Sequence, residues 1–252
     1  MIKQAIIPLA GLGTRLLPLT SVFAKELLPI NGKPSLEYIL EECVEAGIKE
    51  IIFIISNKKK IIKTYFCNDR FFKKIISKNK DKRILHEYRK ILKYKKMIKF
   101  VYQNKPLGTG DAVLKTKNLI KDKFFLMLLP DDLIIRKNCS KAMINIHNKR
   151  HSSVIASMKV QKKNVSRWGI YSIKSKIDNK NFIIKDVVEK PKIKSAPSNY
   201  AVIGRYILPQ TIFSKLKNQK KGIGGEIHIT DTIKRLIHEG NEFVGHNFAG
   251  KY

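Results

Sequence analysis

Two glycines, an arginine and a lysine sit close together near the start of the chain. In "PLAGLGTRLLP", residues 8–18, Gly11 and Gly13 follow an apolar run and Arg15 comes two positions later. Lys25 and Glu26 follow in "FAKELLPINGKP". Glycines directly after a strand let backbone N–H groups approach a phosphate. An arginine and a lysine beside them add counter-charge, so the stretch can surround a triphosphate. Taken singly, either cation is an ordinary surface charge in a chain with 51 Lys and Arg.

Two familiar phosphate motifs are excluded. An NTPase phosphate loop needs GxxxxGK[ST], which Gly11 and Gly13 do not begin. A dinucleotide fingerprint needs a third glycine or alanine where Leu16 stands. It also needs an acid at the end of the second strand, where the chain has Ser56 and Asn57. No Ser/His/Asp or Cys/His constellation for covalent catalysis stands out.

The elements that must position these residues follow from periodicity. Residues 2–9, 50–56 and 97–103 read as buried strands, and residues 124–132, "FFLMLLPDD", as a strand ending in Asp131 and Asp132. Residues 35–46 read as a helix with apolar Leu36, Ile39, Leu40, Cys43 and Val44 on one face and Gly47 as its stop. Residues 111–119 read as a second helix. This β–α order predicts an α/β fold with a parallel sheet covered on both faces, and places binding sites at the carboxyl ends of its strands. Residues 58–99 read as a lysine-rich helical excursion. After about residue 150, "SSVIASMKV", "WGIYSIKS", "FIIKDVVEKP" and "NYAVIGRYIL" read as strands of a β-rich part joined to the sheet.

Composition sets the bounds. The 252 residues are 43% apolar, enough for a large core, and no run reaches the roughly 18 apolar residues of a membrane span. The N-terminus reads as a strand rather than a signal peptide, because the glycine motif follows it at once. Cys43, Cys67 and Cys139 lack CxxC spacing, which argues against a disulfide framework or zinc site and fits a reducing cytoplasm. The net charge of +31 is mostly lysine scattered through every segment. A surface that tracks nucleic acid would concentrate its charge, so no specific nucleic-acid partner and no membrane is expected.

Five stretches in order, "AGLGTRLLP...AKELLPINGKP", "LPDD", "VVEKP", "APSNYAVIGRYIL" and "GGEIHITD", resemble the bacterial UTP–glucose-1-phosphate uridylyltransferase family across residues 2–252, least so in residues 58–99. The resemblance implies a Rossmann-like, mostly parallel (mixed) sheet flanked by helices, of the nucleotide-diphospho-sugar transferase type, with a smaller β-rich sugar-side lobe. It implies one nucleotidyltransferase domain, with residues 1–150 binding nucleotide and residues 151–252 binding sugar phosphate. The substrates it implies are UTP and glucose 1-phosphate, and the cofactor Mg²⁺.

The resemblance also implies residue roles. Leu9, Ala10, Gly11 and Gly13 wrap the uridine and its phosphates. Arg15 holds the β- and γ-phosphates, and Lys25 stabilises the α-phosphate in the transition state. Gln103 and Gly108 face the uracil, Gln103 with an amide that offers both donor and acceptor. Asp131 binds magnesium, as suits a carboxylate at a strand end. Gly169 lets the sugar ring approach the backbone, Glu189 accepts hydrogen bonds from glucose hydroxyls, and Lys190 grips the sugar's phosphate. Trp168 is expected to pack, and so is His228, which stands where the family usually has glutamine.

Some positions depart from the family. "TSVFAKE" has Ser21 and Ala24 where the family has lysine and proline. The family continues past a stretch like "FAGKY" into a "DCG" motif that carries a second magnesium ligand, and then a helical tail used in oligomerisation. Without these, magnesium demand is expected to be higher and homo-oligomer formation weaker. Three alternatives stay open at this point: the same chemistry with another nucleotide such as dTTP or another sugar phosphate, an inactive nucleotide-binding protein, and a nucleic-acid binder resting on charge alone.

Overall fold

The computed structural model describes residues 1–76 and 78–252. The chain runs β1 (Gln4–Pro8), a small hairpin of β2 (Pro29–Ile30) and β3 (Lys33–Pro34), α1 (Ser35–Glu45), β4 (Glu50–Ile55), α2 (Lys60–Cys67), α3 (Asp69–Ile76), α4 (Lys82–Met97) and β5 (Ile98–Tyr102). It continues through α5 (Thr109–Leu114), β6 (Phe124–Leu128), α6 (Cys139–Arg150), β7 (Ser153–Lys159), β8 (Gly169–Lys176), β9 (Asn181–Glu189), β10 (Tyr200–Pro209), α7 (Ile212–Lys217), α8 (Ile229–His238) and β11 (Phe243–Asn247). The described residues form one large mixed sheet in the order β5-β4-β1-β6-β10-β7-β11-β9-β8. β5, β4, β1 and β6 are parallel; β10 runs antiparallel to both β6 and β7. The β-rich second half therefore extends the same sheet as the strands of the first half.

Alternation along the central strands explains why both faces are covered. Ala5, Ile7, Phe53, Ile55, Leu126 and Leu128 enter one core layer, while Ile6, Ile52, Ile54, Phe125 and Met127 enter the other. Side chains two apart share a face, so a continuous isoleucine run feeds two cores. Phe53 is fully buried and meets Phe66 of α2 edge-on at 5.6 Å and Phe100 at 5.8 Å. Truncating such a residue to alanine costs about 3–5 kcal/mol.

The lysine-rich region is a packed excursion. Asp81 caps α4, its side chain accepting from the Arg83 and Ile84 amides. α4 buries Ile91 and Tyr94 in the first core, and Lys90 bridges back to Glu37 and Glu41 of α1 at 3.0 and 2.8 Å. Most of its other lysines lie on the solvated faces of its helices.

Two elements differ from the pattern-based expectation. The helix placed at residues 111–119 is Thr109–Leu114 instead. It starts at once after Gly108. Beyond Leu114 the Thr116 hydroxyl donates to Val113 O, and the Thr116, Lys117 and Leu119 amides close three-residue turns. A threonine that bonds the backbone locally competes with the helical ladder. The second difference is β11, whose short "FVGHN" gave no usable signal; it pairs with β7 on one side and β9 on the other.

Candidate active site

The carboxyl ends of β1, β5 and β6 open into a cleft of about 260 Å³. Ala10, Gly11, Lys25, Gln103, Gly108 and Asp131 all line it. Gly11 is required by nothing inside the protein, since a Cβ there would meet no atom within 4 Å. It faces the cleft, where a side chain would take ligand space. Gly13 sits at φ 70°, a conformation L side chains rarely adopt, and its carbonyl accepts from the Thr20 hydroxyl at 2.8 Å. Leu9 is fully buried, so only its backbone can reach a ligand. Arg15 lies on an exposed single turn, Thr14–Leu16, outside the lining of the cleft.

Lys25 comes from a turn of 3-10 helix, Lys25–Leu27, and its Nζ lies 3.0 Å from Asp131 Oδ2. The turn is anchored from below. Glu26 is buried, and both its oxygens accept from Lys59 Nζ, at 2.7 and 2.8 Å. Burial pushes the Lys59 ammonium below its usual range, opposed by the Glu26 charge. Neither partner was singled out from the sequence: Glu26 looked like a neighbour of Lys25, and Lys59 like one of three consecutive lysines.

Asp131 and its neighbour do different things. The Asp131 side chain is 61% exposed. Asp132 turns inward, where its Oδ2 accepts from the Gly204 amide at 2.7 Å and its Oδ1 from the Tyr252 hydroxyl. Burial raises the Asp132 carboxyl above its ordinary range, against those two bonds. Gly204 must be glycine, because a Cβ would stand 2.4 Å from Asp132 Oδ2 and 2.5 Å from Leu129 Cβ. Next to it, fully buried Arg205 holds both Glu42 oxygens and donates to Leu129 O at 3.2 Å. The "GRY" of β10 thus fastens the loop that presents Asp131.

The wall of the cleft that contains Gly108 is built by docking. Gly108 has φ 96° and a Cβ there would lie 2.6 Å from Ile227 O. The Gly110 amide donates to Ile227 O, and the Ile227 amide to Leu107 O. "GGEIHITD" therefore backs the Gly108 loop and brings Glu226 to the cleft; His228 stands at the residue just before α8, with no capping bond from its side chain to the helix. Gln103 Nε2 donates to Gly108 O at 3.1 Å and to Asp111 Oδ2 at 2.8 Å. The expectation that this amide turns both a donor and an acceptor to a ligand is corrected: its NH₂ is already engaged, and only its oxygen is left to offer.

The residues expected to meet the sugar phosphate sit further along the sheet and do not line the cleft. Gly169 opens β8 directly opposite Glu189 of β9, and a Cβ on it would come within 3.1 Å of Glu189 Oε2. Lys190 adopts φ 44° and its amide donates to Trp168 O at 3.0 Å. Trp168 packs on the core and meets Tyr252 edge-on. Buried Tyr206 relates the two groups. Its hydroxyl is pushed above the usual tyrosine range by burial first and then by Asp132, Glu189 and Asp131. Carboxylates from the ends of β6 and β9 thus act on one point of β10.

Among the described residues no set of three His, Cys, Asp or Glu could hold a metal ion. Asp131, an exposed carboxylate in the cleft, already attracts a cation, Lys25. That fits a hard ion bound by one protein oxygen and completed by phosphate oxygens and water. A larger cavity of about 320 Å³ lies between α1 and residues 134–138. Its lining includes none of the candidate residues, and sets Glu41, Glu42 and Glu45 beside Arg136 and Lys137.

A glycine-lined cleft at the strand ends of a mixed sheet, with a lysine and a carboxylate at its mouth, defines a nucleotide-handling transferase. The nucleotidyl transferase family model matches residues 4–252. The UTP–glucose-1-phosphate uridylyltransferase of Mycoplasma pneumoniae is 36% identical over 252 residues, 99% of this chain and 86% of that protein. A UDP-glucose pyrophosphorylase complexed with UDP-glucose superposes with a TM-score of 0.87 at 34% identity, covering 100% of this chain and 92% of the other. The UTP-bound UGPase from Acinetobacter baumannii gives 0.88 at 32% identity, covering 100% and 87%. The chain belongs to the nucleotidyl transferase family, among its UTP–glucose-1-phosphate uridylyltransferases.

Proposed function

We propose that the chain makes UDP-glucose and pyrophosphate from UTP and glucose 1-phosphate. The observation that carries this is the convergence of Gly11, Lys25, Gln103, Gly108 and Asp131 on one cleft. The phosphate of the sugar is ionised near pH 7, so the attack on the α-phosphorus of UTP needs no general base. It needs two polyanions held in line and the charge on the transferring oxygens stabilised.

The residues divide that work. The backbone from Leu9 and Ala10 through Gly11 and Gly13 curls around the nucleotide, and Gln103 and Gly108 meet the uracil. Lys25 stabilises the α-phosphate. Arg15 reaches the β- and γ-phosphates from its exposed turn once they lie in the cleft. Gly169, Glu189 and Lys190 receive glucose 1-phosphate, so residues 1–150 serve the nucleotide and residues 151–252 the sugar phosphate. Asp131 holds Mg²⁺, which when bound neutralises phosphate charge.

The cysteines at 43, 67 and 139 are free, and among the described residues no helix is long and apolar enough to cross a membrane. The free cysteines fit a reducing cytoplasm, and the proposed product, UDP-glucose, fits a role in carbohydrate metabolism. The test is pyrophosphate release from UTP plus glucose 1-phosphate, with and without Mg²⁺. Release that requires both substrates and the cation supports the reading; none with any nucleotide overturns it.

A further inference from the structure

Gln103 is buried, yet it lines the cleft. Its amide extends the sheet by donating to Ile55 O at 2.8 Å, which fixes its backbone beside β4 and β5. A glutamine side chain can point either its oxygen or its NH₂ at a ligand, and only its partners decide which. Here Nε2 has two partners, Gly108 O at 3.1 Å and Asp111 Oδ2 at 2.8 Å. A carbonyl and a carboxylate can only accept. Turning the amide over would set its oxygen against both of them, in a buried site where such a clash is costly.

We infer that Asp111 is a positioning residue for nucleobase choice: it locks the Gln103 amide so that an acceptor faces the base. Asp111 is itself buried on the first turn of α5, with its other oxygen 3.8 Å from Lys115 Nζ. The inference rests on the proposed contact between Gln103 and the uracil. Uracil carries a hydrogen at N3 and so complements an acceptor. Cytosine presents a lone pair at N3 and is repelled by it. Thymine has the same N3–H edge as uracil, so Asp111 does not sort UTP from dTTP. The lock thus discriminates by hydrogen-bond polarity, where a site built to pair one partner strongly rejects the wrong one.

The experiment compares UTP, CTP and dTTP as substrates for the parent, for Asp111→Asn and for Asp111→Ser, by kcat/KM. Asparagine is the same size but can donate to a turned amide, and serine makes room for water. The expected result is a fall in the UTP:CTP ratio of about tenfold in either variant, with the UTP:dTTP ratio unchanged. Damage that was merely structural would lower all three together. An unchanged UTP:CTP ratio in whichever variant is folded, or in both, overturns the inference. The same ratios are read without turnover from the nucleotide concentrations that raise the unfolding temperature. If the parent prefers UTP over CTP in binding, the variants lose that preference and none of them transfers, the proposed reaction fails while the lock stands.

Discussion

Lys25 Nζ and Asp131 Oδ2 lie 3.0 Å apart across the mouth of the cleft, so the group proposed to meet the α-phosphate rests on the group proposed to hold the metal. Both are partly in solvent, and an exposed pair of this kind is worth at most about 1 kcal/mol. It is therefore easily exchanged for phosphate and a divalent cation. Lys25→Ala should reduce turnover by about a hundredfold or more with little change in unfolding temperature. Asp131→Asn should raise the Mg²⁺ concentration needed for half-maximal rate. Steady-state rates across a magnesium series check both, and full activity in Lys25→Ala would remove the residue from the reaction.

The pair behind Lys25 is of another kind. Glu26 and Lys59 are both buried, and losing one partner strands the other's charge. Lys59→Met should destabilise the fold by about 3–5 kcal/mol. Lys59→Met combined with Glu26→Leu should recover part of that loss. Urea unfolding of the single and double variants measures it; equal stability of the single variant and parent would contradict the burial argument.

Gly204→Ala tests the fastening of the Asp131 loop. The added methyl would overlap Asp132 Oδ2 and Leu129, so either the loop or β10 has to shift. The expected outcome is a loss of about 1–3 kcal/mol together with a higher magnesium requirement. A variant that kept the parent's magnesium dependence would show that the loop tolerates displacement.

Two buried histidines predict an acid limit to stability. His147 Nδ1 lies 2.8 Å from Ser152 O, and a carbonyl only accepts, so Nδ1 carries a proton. Burial lowers its pKa against that bond. Burial also lowers the pKa of His246, which contacts Asn181 Oδ1 at 2.8 Å. The unfolded chain takes up these protons near pH 6.5 and the folded chain only below it. Stability is thus complete above about pH 6.5 and falls as pH drops through the lower folded values. Unfolding temperatures between pH 7.5 and 5 should show this loss. It should be smaller with His147→Gln and His246→Asn combined.

Much of the fold was legible because it is written in period. The isoleucine runs of β1 and β4 and the helical spacing of α1 each report a buried face directly. The end of α5 was not, because Thr116 stops it through a side-chain bond that a hydrophobic pattern does not register. The cleft residues stood out where glycine, arginine or paired acids broke a strand. Their supports did not. Lys59 hides among surface lysines, Asp111 looks like a helix-start acid, and Arg205 reads as one more cation in a basic chain. What distinguishes each is a partner far away in sequence, such as Glu42 for Arg205.

β10 lies between β6 and β7 and bonds to both. Cutting the chain near residue 150 would leave β6 without that neighbour and deprive β10 of half its ladder. No single cut there divides the molecule into two self-sufficient pieces. The two halves should melt together in one cooperative transition, and a ligand bound in either should protect the amides of both from exchange.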